Sequence, residues 1–181
     1  PFAVIGASRE MMLQLTVEPV LVIALVTAAL NARSFGIGDM VDWYHFHGFS
    51  MSMLIVTVPL FLALQAQVGK LPFDMAEAET EIAGGLFIEQ SGPTYALLRW
   101  TVMAKQMIIA SLFVQVFFPW PKTEHLIGAT LIHLAKVLAL VVLIALIDVV
   151  NPRLRIDQAV KYYLLLVFFS LAGIAFATIG A

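Results

Sequence analysis

Five stretches of about 20 mostly apolar residues, separated by helix-breaking residues, constrain this chain more than any other feature. They run over roughly 11–32, 49–68, 94–118, 126–150 and 159–180, and each is long enough to cross a hydrocarbon layer about 30 Å thick. A backbone in contact with lipid must satisfy its own hydrogen bonds, so all five are predicted to be helices. Stop signals lie between them at Gly36 and Gly38, Pro72, Gly92-Pro93, Pro119 and Pro121, and Asn151-Pro152. The predicted fold class is therefore an all-α polytopic membrane protein, a single transmembrane domain over residues 1–181 embedded in a lipid bilayer. The composition agrees: 61% of residues are hydrophobic, 12% are charged and the mean hydropathy is +0.96. A soluble domain carries about a quarter of its residues as charges.

Net charge is −2, which offers nucleic acid no attraction. The chain has no cysteine, so it can hold no disulfide, thiolate zinc site or cysteine-ligated iron–sulfur cluster. Any redox centre has to sit in a partner. Lys and Arg set the orientation. Arg9, Lys70, Arg99, Arg153, Arg155 and Lys161 fall on one side of the five spans, Arg33 and Lys122 on the other. This bias places the long loop 69–93 in the cytoplasm. Trp43, Tyr44 and Trp120 then suit the opposite interface.

Charge is concentrated in that loop. Asp74, Glu77, Glu79, Glu81 and Glu89 account for five of the twelve acids. Pro72 suits a first helical turn, and Gly84-Gly85 would end a short helix from about 73 to 83. On such a helix Asp74, Glu77 and Glu81 share one face and Glu79 points elsewhere. Acids this close repel one another and titrate as a unit. The pattern fits proton handling, docking of a basic partner, or a plain solvated helix.

Ionisable residues also occur within the spans, where a central charge costs about 2.5–3.5 kcal/mol on insertion scales and usually marks an ion path. Lys136 lies near the middle of the fourth span, three residues after His133. Lys105 and Gln106 lie in the third, and Glu18 precedes Pro19 in the first. Snorkelling and packing are the plain alternatives. Asp148, near a span end, reads as interfacial. His45 and His47 lack a nearby third ligand, so no metal site is expected. Phosphate loops, nucleophile elbows and HExxH are absent.

Pro72-Phe73-Asp74 with Glu77, Glu79, Glu81, Glu89 and Ser91-Gly92 resembles the signature of a family of complex I membrane subunits. Its mitochondrial member is NADH-ubiquinone oxidoreductase chain 1, and the family includes the membrane anchors of group 4 NiFe hydrogenases. Pro152-Arg153-Leu154-Arg155-Ile156-Asp157-Gln158 resembles a second family motif, and Glu18 a third position. The resemblance implies about eight transmembrane helices, of which this chain would be the C-terminal five. Complex I members usually carry acids where Gln67 and Val102 stand here, and Glu-Tyr where this chain has Glu89-Gln90. Those departures remove positions that the resemblance assigns to the quinone tunnel and proton entry, whereas the AEAETEI run at 76–82 with Arg99 and Lys105 resembles the hydrogenase branch and the related archaeal ferredoxin-dependent sulfane reductases.

The resemblance implies a non-catalytic anchoring and coupling subunit of the cytoplasmic membrane. The NiFe centre and iron–sulfur clusters would be in hydrogenase-like large and small subunits of a hydrophilic arm. Antiporter-like membrane subunits would be the other partners. Lys70, Pro72, Phe73, Arg99, Arg153, Arg155 and Asp157 would meet the arm. An ion path would run through Asp74, Glu77, Glu79, Glu81 and Glu89 to Glu18, Lys105, His133 and Lys136. The competing readings are a complex I quinone-site subunit, a sulfane reductase membrane subunit, a secondary transporter and a purely structural anchor. A transporter would need broken helices, and Pro19 offers one break but no inverted repeat is visible.

Overall fold

The computed structural model describes residues 2–48, 50–75, 87–121 and 125–180. Among them are six helices and no strand: α1 Phe2–Ala32, α2 Ile37–His47, α3 Met51–Gln67, α4 Gly92–Phe117, α5 Leu126–Val150 and α6 Ile156–Ile179. Helices α1, α4, α5 and α6 are long and apolar enough to cross a membrane. The predicted second span is the shorter apolar α3, whose 17 residues extend roughly 25 Å at 1.5 Å per residue.

Three departures from the sequence expectation have local causes. Helix α1 starts at Phe2 and runs through Pro19, and its first turns, with Arg9 and Glu10, extend beyond the apolar stretch. Helix α2 occupies a connection for which the sequence predicts no element. It is only 11 residues long, but Met40 and Tyr44, one turn apart, bury one face while Phe46 stays exposed. Of the helix expected over about 73–83, the chain from Phe73 to Met75 is not helical, and the rest lies within residues 76–86, outside the described residues. Phe73 instead turns inward, its ring 4.8 Å from that of Tyr163 and 5.9 Å from that of Tyr162.

Helix α3 ends on a glycine that the predicted stop signals did not include. Gly69 has φ 64°. Its N–H donates to Ala66 O and the Lys70 N–H donates to Gln65 O, a Schellman arrangement that needs a left-handed residue at this position. Helix α1 ends the same way with Arg33 at φ 53°, where Arg33 N–H meets Leu30 O and Ser34 N–H meets Ala29 O.

Helices α1, α3 and α6 pack as a block, α4 pairs with α5, and α2 bridges α1 and α4. Two apolar cores result. One joins Leu13, Val17, Ala63, Ala66, Phe73, Ala159 and Tyr163. The other joins Ala28, Met40, Tyr44, Met53, Phe113, Phe117 and Leu140. The first lies at the loop end of the bundle, where the 68–75 and 151–155 segments meet. The second extends to the α2 end, where Tyr44 packs edge-on against Trp120 at 6.1 Å. Contact is close where Gly173 of α6 crosses α3: a Cβ there would collide with Val56 Cγ2 and lie 3.1 Å from Ser52 O.

Candidate functional site

The Pro72-Phe73-Asp74 and Pro152–Gln158 motifs are far apart in sequence and meet at the loop end. The Leu154 N–H donates to Pro72 O at 3.0 Å, and Arg153 Nη2 lies 3.3 Å from Asp74 Oδ2 across 79 residues of chain. Lys70 Nζ stands 3.7 Å from Asp148 Oδ2, while Asp148 Oδ1 accepts the Leu71 N–H at 2.7 Å. Arg9 reaches Met75 O from α1. The start of the acidic loop is thus tied to α1, to the end of α5 and to the segment that enters α6. Asp148, read from sequence as merely interfacial, is one of its anchors.

Asp74 is the most informative group. Burial pushes its carboxyl above the ordinary carboxylate range. The charge of Arg153 and its hydrogen bond pull the other way, Asp148 adds to the rise and Lys70 opposes it. Its Oδ1 is buried and accepts no hydrogen bond among the described residues. A carboxyl between opposing influences of this kind changes its proton occupancy when a nearby charge appears or moves.

Behind Asp74 lies a cavity of about 160 Å³ that Glu10, Gln67, Phe73, Asp74, Thr101 and Lys105 help to line. It draws on α1, α3, the loop and α4. Lys105, placed by sequence in the middle of a span, therefore opens onto the same space as Asp74. Glu10, which accepts a hydrogen bond from Gln14 at 2.6 Å, was missed. Its signal was an acid four residues before a glutamine, on a helix that starts earlier than the apolar stretch suggests.

The other expected site residues are placed as follows. Glu77, Glu79 and Glu81 lie outside the described residues. Glu89, near the far end of the loop, is exposed. Arg99 stacks over Phe87 at 4.5 Å and Tyr95 at 5.5 Å. Lys70, Arg155 and Asp157 are exposed and Pro72 is half-buried, whereas Phe73 is only 3% exposed and faces the interior. Glu18 is on an exposed face of α1 and makes no hydrogen bond or ion pair among the described residues. His133 and Lys136 are at the α2 end: His133 Nε2 bonds Ser111 Oγ at 2.9 Å, and Lys136 Nζ donates to Phe118 O and Trp120 O. Among the described residues no group of three or more His, Asp or Glu could hold a metal ion.

Residues 1–178 match the NADH dehydrogenase family. The chain belongs to that family. The resemblance carried by the Pro72-Phe73-Asp74 and Pro152–Gln158 motifs is thereby upheld. Among relatives of this NADH dehydrogenase family member, formate hydrogenlyase subunit 4 of Escherichia coli (strain K12) is 39% identical over 169 residues, covering 87% of this chain and 53% of that protein. Hydrogenase-4 component C of the same organism is 36% identical over 97% of this chain and 57% of its own length. NADH-ubiquinone oxidoreductase chain 1 of Paracentrotus lividus is 29% identical over 87% of this chain and 49% of its length. The chain thus spans about half the length of the curated relatives it matches. A chain in the structure of the membrane-bound sulfane sulfur reductase, an archaeal respiratory membrane complex, superposes with a TM-score of 0.83 at 25% identity, covering 98% of this chain and 60% of that one.

Proposed function

We propose that this chain is the membrane anchor and coupling subunit of a hydrogenase-type respiratory complex. It links ferredoxin-driven redox chemistry in a docked hydrophilic arm to translocation of protons or sodium ions. The observation that carries this reading is the Asp74 constellation. The segment leading into the acidic loop is bonded to three parts of the helix bundle and lines a cavity that reaches Lys105. A charge change in a docked arm would alter the proton occupancy of Asp74, Glu77, Glu79, Glu81 and Glu89. The bonds to Arg153 and Asp148 would carry that change to α5 and α6, and onward to Glu18, His133 and Lys136. The exposed Lys70, Arg155 and Asp157, with Arg99, would face the arm, while Phe73 would serve it from inside by holding the loop down. On this reading the NiFe centre and iron–sulfur clusters lie in hydrogenase-like large and small subunits, antiporter-like subunits lie alongside in the membrane, and the loop faces the cytoplasm.

Higher identity to the hydrogenase relatives than to the complex I relative, and Gln67 where complex I carries an acid, favour the hydrogenase branch. The structural likeness to the sulfane sulfur reductase supports a second reading, a sulfane reductase membrane subunit. Nickel and iron quantified per purified complex separate the two: stoichiometric nickel supports the hydrogenase and iron without nickel the reductase. For the coupling role, Asp74→Asn in the intact complex is expected to lower the ions moved per electron while electron transfer continues. An unchanged ratio would reject it.

A further inference from the structure

At the α2 end, helices α2, α4 and α5 enclose a second cleft, of about 380 Å³. Asp42 and His45 of α2, Gln115 of α4, and Thr130, His133 and Lys136 of α5 line it. So many polar side chains from three helices are unexpected in a chain with 12% charged residues. Helical side chains lean toward the N-terminus of their helix, and α5 begins at this end. His133 and Lys136 therefore reach back toward the cleft mouth although their backbone is well inside the span. The Lys136 ammonium is held there by Phe118 O at 2.8 Å and Trp120 O at 3.1 Å, carbonyls just past the last turn of α4. His133 sits roughly 10 Å along α5 at 1.5 Å per residue, where its Nε2 meets Ser111 Oγ of α4.

We propose that this cleft is a water-filled vestibule through which His133 exchanges protons with the aqueous phase on the α2 side of the membrane. The inference rests on the ion-coupling reading above and adds to it an opening to the far side within this chain. In the tautomer whose Nε2–H donates to Ser111 Oγ, Nδ1 keeps its lone pair and is the nitrogen that exchanges. On uptake an O–H bond of hydronium breaks and an N–H bond forms at Nδ1. On release that N–H bond breaks and the proton returns to water. Ser111 acts as a positioning residue, because its hydrogen bond selects which nitrogen exchanges. Among the described residues the titratable and charged groups that share the space are Asp42 and His45 from α2 and Lys136 from α5, and α4 contributes the neutral Ser111 and Gln115. Lys136 keeps the vestibule in shape by joining α5 to the turn that closes α4.

The absence of cysteine makes the opening directly measurable, since a single introduced thiol is the only one in the chain. Thiol reagents react with the thiolate, which requires water. Two single-cysteine variants of the intact complex in sealed membrane vesicles are compared, His133→Cys and Leu134→Cys. Leu134 is at the same depth but faces outward, 60% exposed. A membrane-impermeant maleimide added on the α2 side is expected to label position 133 at least about tenfold faster than position 134. Equal labelling, or none at 133, would overturn the vestibule. Independently, His133→Gln keeps a hydrogen-bonding side chain but cannot carry the proton. It is expected to lower protons moved per electron at least about threefold, and an unchanged ratio would overturn the exchange role. Loss of coupling in Asp74→Asn does not affect the labelling result, so the two readings fail separately.

Discussion

The two ends of the bundle both bring charge into apolar surroundings, and they satisfy it in different ways. At the loop end two pairs of opposite charges from distant parts of the chain meet, Asp74 with Arg153 and Lys70 with Asp148. At the α2 end the Lys136 ammonium is satisfied by two neutral carbonyls, and aromatic packing of Tyr44 and Trp120 supplies the rest of the contact. Paired charges respond to a third charge brought near, because neutralising one partner leaves the other buried without its counter-charge. Among the described residues the Lys136 ammonium is bonded to carbonyls and to no carboxylate, and it behaves as a strut. The loop end is built to respond to a charge brought near, whereas at the α2 end the Lys136 bonds hold the cleft in shape around His133.

The largest expected effect tests whether close packing joins the two ends. Gly173→Ala would drive a methyl group into Val56 Cγ2, at a cost of about 3 kcal/mol for overpacking. Thermal unfolding of the detergent-solubilised complex should show a loss that Val56→Ala partly restores. Full stability in Gly173→Ala would mean that this crossing is looser than the structure shows.

Next is the loop end itself. Arg153→Met removes the partner of a part-buried carboxylate and is expected to cost about 2 kcal/mol, with Asp74→Asn recovering part of the loss in a double-mutant cycle. Because burial raises Asp74 above its ordinary value, the folded state holds the proton more tightly than the unfolded chain does. Its contribution to stability is then greatest at low pH and is lost as pH rises through the raised value. Arg153→Met, which removes an influence that lowers Asp74, should move that loss to higher pH, and Asp74→Asn should abolish it. A pH–stability profile identical in all three proteins would dissolve the distinction between the two ends.

Lys136→Met should cost roughly 1 kcal/mol by leaving the Phe118 and Trp120 carbonyls without their donor. The smallest effects come from the two helix ends closed by the same motif. Gly69→Ala should destabilise by about 1 kcal/mol, because a Cβ is unfavourable in the left-handed region, while Arg33→Gly should stabilise by up to about 1 kcal/mol. Chemical denaturation of the matched pair checks both signs.

Much of the fold was legible in the apolar stretches, since the requirement that a spanning backbone satisfy itself leaves only helices. The span at 126–150 agrees with α5 residue for residue. Helix α2 was not legible because 11 residues of mixed polarity show only two core positions, Met40 and Tyr44. At the candidate site the motifs identified Asp74 and Arg153 separately. Nothing in their spacing says that they touch. Asp148 reads from sequence only as an interfacial acid, and Glu10 carries no signal beyond its spacing to Gln14, because the role of each depends on a neighbour that the fold supplies.

The order of residues by itself determined the class of protein: five apolar lengths matched to a bilayer, charge concentrated at their ends and in one acidic connection, and no cysteine for a redox centre. These follow from the solvation of individual residues and need no knowledge of neighbours. Tertiary structure alone decided which charges pair, that Phe73 faces inward, that Lys105 shares a cavity with Asp74, and that Lys136 caps α4. Each of these depends on which helix faces which, and that is set by shape, where Gly173 admits Val56 and Tyr163 receives Phe73, rather than by any property of a single residue.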